Sequence, residues 1–143
     1  MKRKEDPQPL SISQPANLDI VSDFAKRLPM KDHPQTVICR YQLKPGAEPE
    51  MLRLIARHWP TLHRAGLVTD EPPRVFRGLP GKSGAGRGTQ PRVLVEVFDW
   101  KSAASAEVAH RSPEVMAIWE PMGALCEAME FPHFERIAVD FRR

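Results

Sequence analysis

Residues 92–100, RVLVEVFDW, constrain the fold more than any other part of the chain. β-Branched and aromatic residues alternate there as they do in a strand. Val93, Val95 and Val97 fall on one side, and Leu94, Glu96, Phe98 and Trp100 on the other. Both sides are largely apolar, so this strand is predicted to be central and covered on both faces.

The remaining segments supply its neighbours. Residues 36–43 read as a strand ended by the turn Lys44-Pro45-Gly46. Val37, Cys39, Tyr41 and Leu43 share one of its faces, and Ile38, Arg40 and Gln42 the other. Residues 49–65 read as a helix, with Pro49 in the first turn and Gly66 as the stop. Its apolar stripe is Leu52, Ile55, Trp59 and Leu62, and Pro60 within it predicts a kink. Residues 74–78 make a short strand, and the glycine-rich stretch 79–91 a loop. A helix is predicted from Ser102 to about His110. A second starts at Ser112-Pro113, with Val115, Ile118, Trp119, Met122, Cys126 and Met129 on its apolar face. Residues 131–133 form a turn, and 134–141 the last strand.

The order is β-α-β-β-α-β with the second helix split, the ferredoxin-like α+β arrangement. Two right-handed crossovers then set the first and third strands side by side. Helices cover one face of such a sheet. The face away from them is expected to carry Ile38, Leu94, Phe98 and Trp100, and apolar residues there imply a partner sheet, hence a homodimer.

This domain is expected over residues 36–143. Residues 1–35 hold five prolines and read as an N-terminal arm, either disordered or carrying a short helix capped by Asn17. The chain's 143 residues suit one domain, and 41% hydrophobic content supports a real core. A net charge of +3 is too mild to indicate nucleic-acid binding. No apolar run approaches the roughly 20 residues that span a bilayer, and no apolar signal segment follows the charged start. The two cysteines, Cys39 and Cys126, make neither a disulfide framework nor a metal site, and the cytoplasm is the expected compartment. Charge is uneven: residues 72–95 hold five bases and no acid, whereas 99–135 hold seven acids against Lys101 and Arg111. Solvated surface, an anion-attracting loop, or basic-to-acidic subunit contact each fit that pattern.

Several motifs fail on spacing. Gly81-Lys82-Ser83 resembles the end of a phosphate loop, but the glycine required five residues earlier is Phe76. His58 and His63 lie on opposite flanks of one helix, so they do not share a metal directly, and no metal site is expected. Arg40 and Glu96 lie on neighbouring strands and are expected on the face away from the helices. There they would form a structural ion pair or a polar site. Trp59, Trp100 and Trp119, with Phe98, Tyr41 and the methionines, can wall an apolar pocket between sheet and helices, the default binding site of such a domain.

The segments VICRYQLKPG (37–46), RHWPTLHRAGLVTDEP (57–72), VEVFDW (95–100) and AHRSPEVMAIWEPM (109–122) resemble the antibiotic-biosynthesis-monooxygenase-like proteins of the dimeric α+β barrel superfamily. The resemblance implies a barrel dimer with a cavity in each subunit, acting on an aromatic or quinoid small molecule without cofactor, or alternatively on haem. Active members commonly use an asparagine with a tryptophan, and the haem enzymes add a histidine on the second helical region. The chain's one asparagine is Asn17, in the arm. Trp59 and His110 could fill the other roles, with His58 as substitute polar group.

Three readings follow. In the first, a small-molecule enzyme, His58 or His110 acts as base. Glu96 and Arg40 orient the substrate, and Trp59, Phe98 and Trp119 wall it. In the second, a non-catalytic dimeric binding module, side chains fill the cavity. In the third, His110 binds haem.

Overall fold

The computed structural model describes residues 33–81 and 91–142. The arm expected over residues 1–35 therefore lies almost wholly outside the described residues, as does most of the glycine-rich loop.

The elements run β1 (Gln35–Leu43), α1 (Glu48–Arg64), β2 (Arg74–Arg77), β3 (Val93–Trp100), α2 (Ser105–His110), α3 (Pro113–Ala124), β4 (Cys126–Glu130) and β5 (His133–Phe134). The sheet order is β2-β3-β1-β4, with β5 also on β1, and every pairing is antiparallel. This is the ferredoxin-like α+β fold. The first and third strands are neighbours, as the crossovers require.

Local chemistry explains most boundaries. Gly46 and Gly66 take φ of 75° and 77°, ending β1 and α1 in a conformation costly for other residues. Ser112 caps α3 by accepting from the Val115 N–H at 3.2 Å, with Pro113 behind it. The first helical piece begins later than expected, because the Ser102 N–H turns onto Ser105 Oγ at 3.2 Å. Helix α1 continues through Pro60. Ala56 and Pro60 both face solvent, where water can satisfy the carbonyl left without a donor.

Two expectations fail at the C-terminal end. Helix α3 stops at Ala124, and Cys126–Glu130 is a strand rather than a last helical turn. The spacing of Met122, Cys126 and Met129 fits a helix face. So short an apolar run, however, also fits a strand paired to β1 through a bulge at Gln42/Leu43. The last strand is therefore split between β4 and β5, not residues 134–141. Residues 135–142 have no regular structure, and Ile137, Val139 and Phe141 are exposed.

The assignment of sheet faces also needs correction. Cys39 pairs with Glu96 and Tyr41 with Leu94, and cross-strand partners share a face. Leu94, Glu96, Phe98 and Trp100 therefore point toward the helices with Val37, Cys39, Tyr41 and Leu43, and all of them are buried. The outer face carries Ile38, Arg40, Phe76, Val93, Val95 and Val97, half-buried or exposed. Period-two alternation separates the two faces but does not say which is inner. The bulkier aromatic set went against the helices.

Candidate functional site

A cavity of about 330 Å³ lies between the helix-facing side of the sheet and the helices. Its wall is almost wholly apolar, with Val37, Phe98 and Trp100 from the sheet and Met116 and Met122 from α3. Four polar side chains meet in or beside it: Tyr41 on β1, His58 on α1, Glu96 on β3 and Trp119 on α3.

Burial makes these four a unit. Glu96 is 0% and His58 3% exposed, so their polar atoms must find partners in the protein. The Tyr41 hydroxyl donates to Glu96 Oε1 at 2.8 Å. His58 Nδ1 lies 2.9 Å from Oε1 and 3.2 Å from Oε2 of the same carboxylate. On the far side of the ring, the Trp119 indole N–H donates to His58 Nε2 at 2.8 Å.

These bonds assign the proton on His58. An indole N–H can only donate, so Nε2 carries the lone pair. Nδ1 then carries the hydrogen and donates it to Glu96. The imidazole is neutral, and its tautomer is fixed from both sides. Burial, reinforced by the Glu96 charge, pushes the Tyr41 hydroxyl far above the usual phenol range, so it remains a donor. The same two causes raise the Cys39 thiol, which lines the cavity as an unreactive apolar group.

The aromatic packing holds the imidazole in place. The Phe98 ring meets it edge-on, with centroids 5.5 Å apart and planes at 86°. The Trp119 indole also contacts the His110 ring at 4.8 Å. His110 and His133 line the cavity but are exposed.

Of the residues singled out from the sequence, the fold brings His58, Glu96, Phe98, Trp119 and His110 to one cavity. Two others stand apart. Arg40 pairs with Val95 across the sheet and is exposed on the outer face, so the expected Arg40–Glu96 pair does not form. The faces of β3 are reversed relative to those expected, whereas those of β1 are not, which puts the two residues on opposite sides of the sheet. Trp59 lies on another flank of α1, stacked on His63 at 4.6 Å, and is not part of the cavity wall. Tyr41 lines the cavity, as the sequence leads one to expect, but its hydrogen bond to Glu96 is a role beyond the expected apolar wall. Its signal was available: a lone Glu inside VLVEVF must find donors, and Tyr41 carries one on the neighbouring strand. Among the described residues no cluster of His, Cys, Asp and Glu could hold a metal ion, and no helix is long and apolar enough to cross a membrane.

No protein-family model and no curated protein matches the sequence. Solved structures do resemble the fold. A variant of SnoaB, a cofactor-independent oxygenase from Streptomyces nogalater, aligns with a TM-score of 0.57 at 15% identity, covering 77% of this chain and 98% of that one. An antibiotic biosynthesis monooxygenase aligns at 0.54 and 13%, covering 73% and 99%. A NIPSNAP family protein from Agrobacterium tumefaciens aligns at 0.52 and 18%, covering 76% and 89%. The order of elements, the sheet and these alignments agree: the chain carries an antibiotic-biosynthesis-monooxygenase-like domain fold.

Proposed function

We propose that the domain is a cofactor-free oxygenase acting on an aromatic or quinoid small molecule held in this cavity. The observation that carries the reading is the buried Glu96–His58 pair, whose imidazole stands at the wall of a largely apolar cavity. A base oriented by a carboxylate on its other nitrogen is the arrangement general-base catalysis uses. At about 330 Å³ the space lies near the lower end of the roughly 300–1,000 Å³ that small-molecule pockets occupy.

His58 takes a proton at Nε2 from an acidic ring position or hydroxyl. Glu96 stabilises the imidazolium and Tyr41 holds Glu96. The resulting carbanion is electron-rich enough to reduce dioxygen directly. For a ring CH2 group, one O2 adds to give a hydroperoxide. Loss of water then leaves a carbonyl, so the carbon is oxidised and O2 is the only oxidant. Phe98 and Trp119 wall the ring, and His110 stands at the mouth.

Oxygen uptake with anthrone and a naphthohydroquinone, in the presence of a metal chelator, tests this. Wild-type protein should consume O2 with these probes, and His58→Ala should lose at least about a hundredfold of that rate, the lower range for a positioned base. Equal uptake by the two proteins would end the assignment of His58.

A non-catalytic binding module is the second reading, favoured by the absence of asparagine from residues 36–143. It predicts a side-chain-filled cavity, and the space found here counts against it. Haem suits these residues less well. The buried imidazole, His58, has its lone pair on Trp119, and His110 is exposed.

The reading includes a homodimer through the outer sheet face. Phe76, 48% exposed, pairs across the sheet with Val95 on that face. Phe76→Asp should convert a sedimenting dimer to monomer. A wild-type monomer at micromolar concentration would remove this part of the reading.

A further inference from the structure

We infer that Trp119 is a gate on His58, opened by a ligand that carries its own hydrogen-bond donor. The inference rests on the cavity reading above and goes beyond it.

The His58 lone pair is the single acceptor through which the imidazole can take a proton, because Nδ1 is committed to Glu96. The Trp119 N–H occupies that lone pair at 2.8 Å. Two donors cannot share it head-on, so His58 cannot accept a proton while Trp119 is in place. The geometry therefore describes a closed state, and an open state has the indole withdrawn.

The surroundings permit that withdrawal. Trp119 is half-buried, unlike the His58 and Glu96 it closes over. Its neighbours in the cavity wall include Met116 and Met122, whose unbranched side chains repack readily. His58 itself is anchored by Glu96 and packed edge-on to Phe98, so the indole is the partner free to move.

A consequence follows for ligand choice. Withdrawing the indole leaves a buried acceptor unpaired, which is unfavourable unless something replaces the N–H. An aromatic molecule with a hydroxyl group supplies that donor. The same ring without a donor fills the cavity but leaves the gate closed. Trp119 is thus a specificity-determining residue.

Naphthol and its methyl ether form the test pair, with ¹⁵N-labelled wild-type protein and its indole N–H resonances as readout. The Trp119 resonance is assigned as the one missing from Trp119→Phe or, should that variant not fold, by its nuclear Overhauser contact to His58. Naphthol should move this resonance, its hydroxyl taking the place of the indole N–H on His58 Nε2. The ether should bind with the Trp119 resonance unmoved. In Trp119→Phe naphthol should bind about tenfold more tightly than in wild type, the factor one hydrogen bond supplies when no indole has to be displaced, while the ether should bind equally to both. Naphthol bound with an unmoved Trp119 signal, and no tighter in Trp119→Phe, would overturn the gate and leave the cavity reading intact. Failure of both probes to bind would overturn the cavity reading, and the gate with it.

Discussion

Helix α1 carries two carboxylate–imidazole pairs five residues apart, and their bond lengths barely differ. His58 Nδ1 lies 2.9 Å from Glu96, and His63 Nε2 lies 2.8 Å from Asp70. Their surroundings differ completely. The side chains of the first pair are 4% and 0% exposed, those of the second 42% and 99%. In water both partners of the outer pair can be hydrated separately, so the contact adds little. Inside, neither partner has an alternative, so each fixes the other's orientation. Distance alone would rank the pairs as equals, whereas burial gives the inner one its chemical role.

The sharpest way to break this comparison is to remove each carboxylate. Glu96→Ala should cost about 3–5 kcal/mol, because the Tyr41 hydroxyl and His58 Nδ1–H lose their acceptor and a void opens. Asp70→Ala should shift the urea midpoint too little to resolve. Equal midpoints for the two variants would mean that Glu96 is hydrated in solution and the buried unit does not exist.

A smaller change asks how far the inner pair extends. Tyr41→Phe keeps the ring and deletes one donor to Glu96. Stability should fall by about 0.5–1.5 kcal/mol, the usual net worth of such a bond. The His58 imidazole resonances should broaden, since Glu96 is less firmly held. An unaltered spectrum would limit the functional unit to His58, Glu96 and Trp119.

The cavity thiol offers a third comparison. Burial, with the Glu96 charge behind it, pushes Cys39 well up, and burial also raises Cys126. Native protein should therefore leave Cys39 unmodified by iodoacetamide at neutral pH, while urea exposes it. Fast native alkylation of Cys39 would show that the cavity opens widely.

How much of this was legible follows from the kind of signal each feature left. The fold was readable because its elements are punctuated chemically: Gly46 and Gly66 end β1 and α1, and Ser112-Pro113 starts α3. His58, Glu96, Phe98 and Trp119 could be named as candidates, since each is a polar or aromatic group inside an apolar pattern. Their assembly was not readable. Strand β3 is apolar on both faces, so the choice of inner face, and with it the false Arg40–Glu96 pair, hung on a register no local pattern encodes. The end of α3 failed for a related reason, because Met122, Cys126 and Met129 satisfy a helical and an extended reading alike. Tyr41 was visible as a wall residue, but its polar role only as the answer to a question Glu96 poses, namely which donors reach a buried carboxylate.

The outer pair supplies the smallest effect and the cleanest control. The hydrogen bond from His63, then its charge, with Lys101 adding slightly, holds the Asp70 carboxyl below the usual carboxylate range. A carboxyl whose folded value is depressed favours the folded state above its unfolded value and loses that contribution as pH falls through the folded one. Asp70 should therefore titrate at lower pH than an unstructured aspartate, seen in its carboxyl carbon shift. His63→Ala should return it toward the ordinary value, as should about 1 M salt in part, since screening then acts within roughly 3 Å. The buried pair gives the contrast: added salt cannot reach between His58 and Glu96, so the His58 resonances should not respond to it. If salt moves both pairs alike, the water-excluding wall built by Phe98 and Trp119 is open in solution. If it moves only Asp70, burial rather than bond length is what distinguishes two otherwise equivalent contacts on one helix.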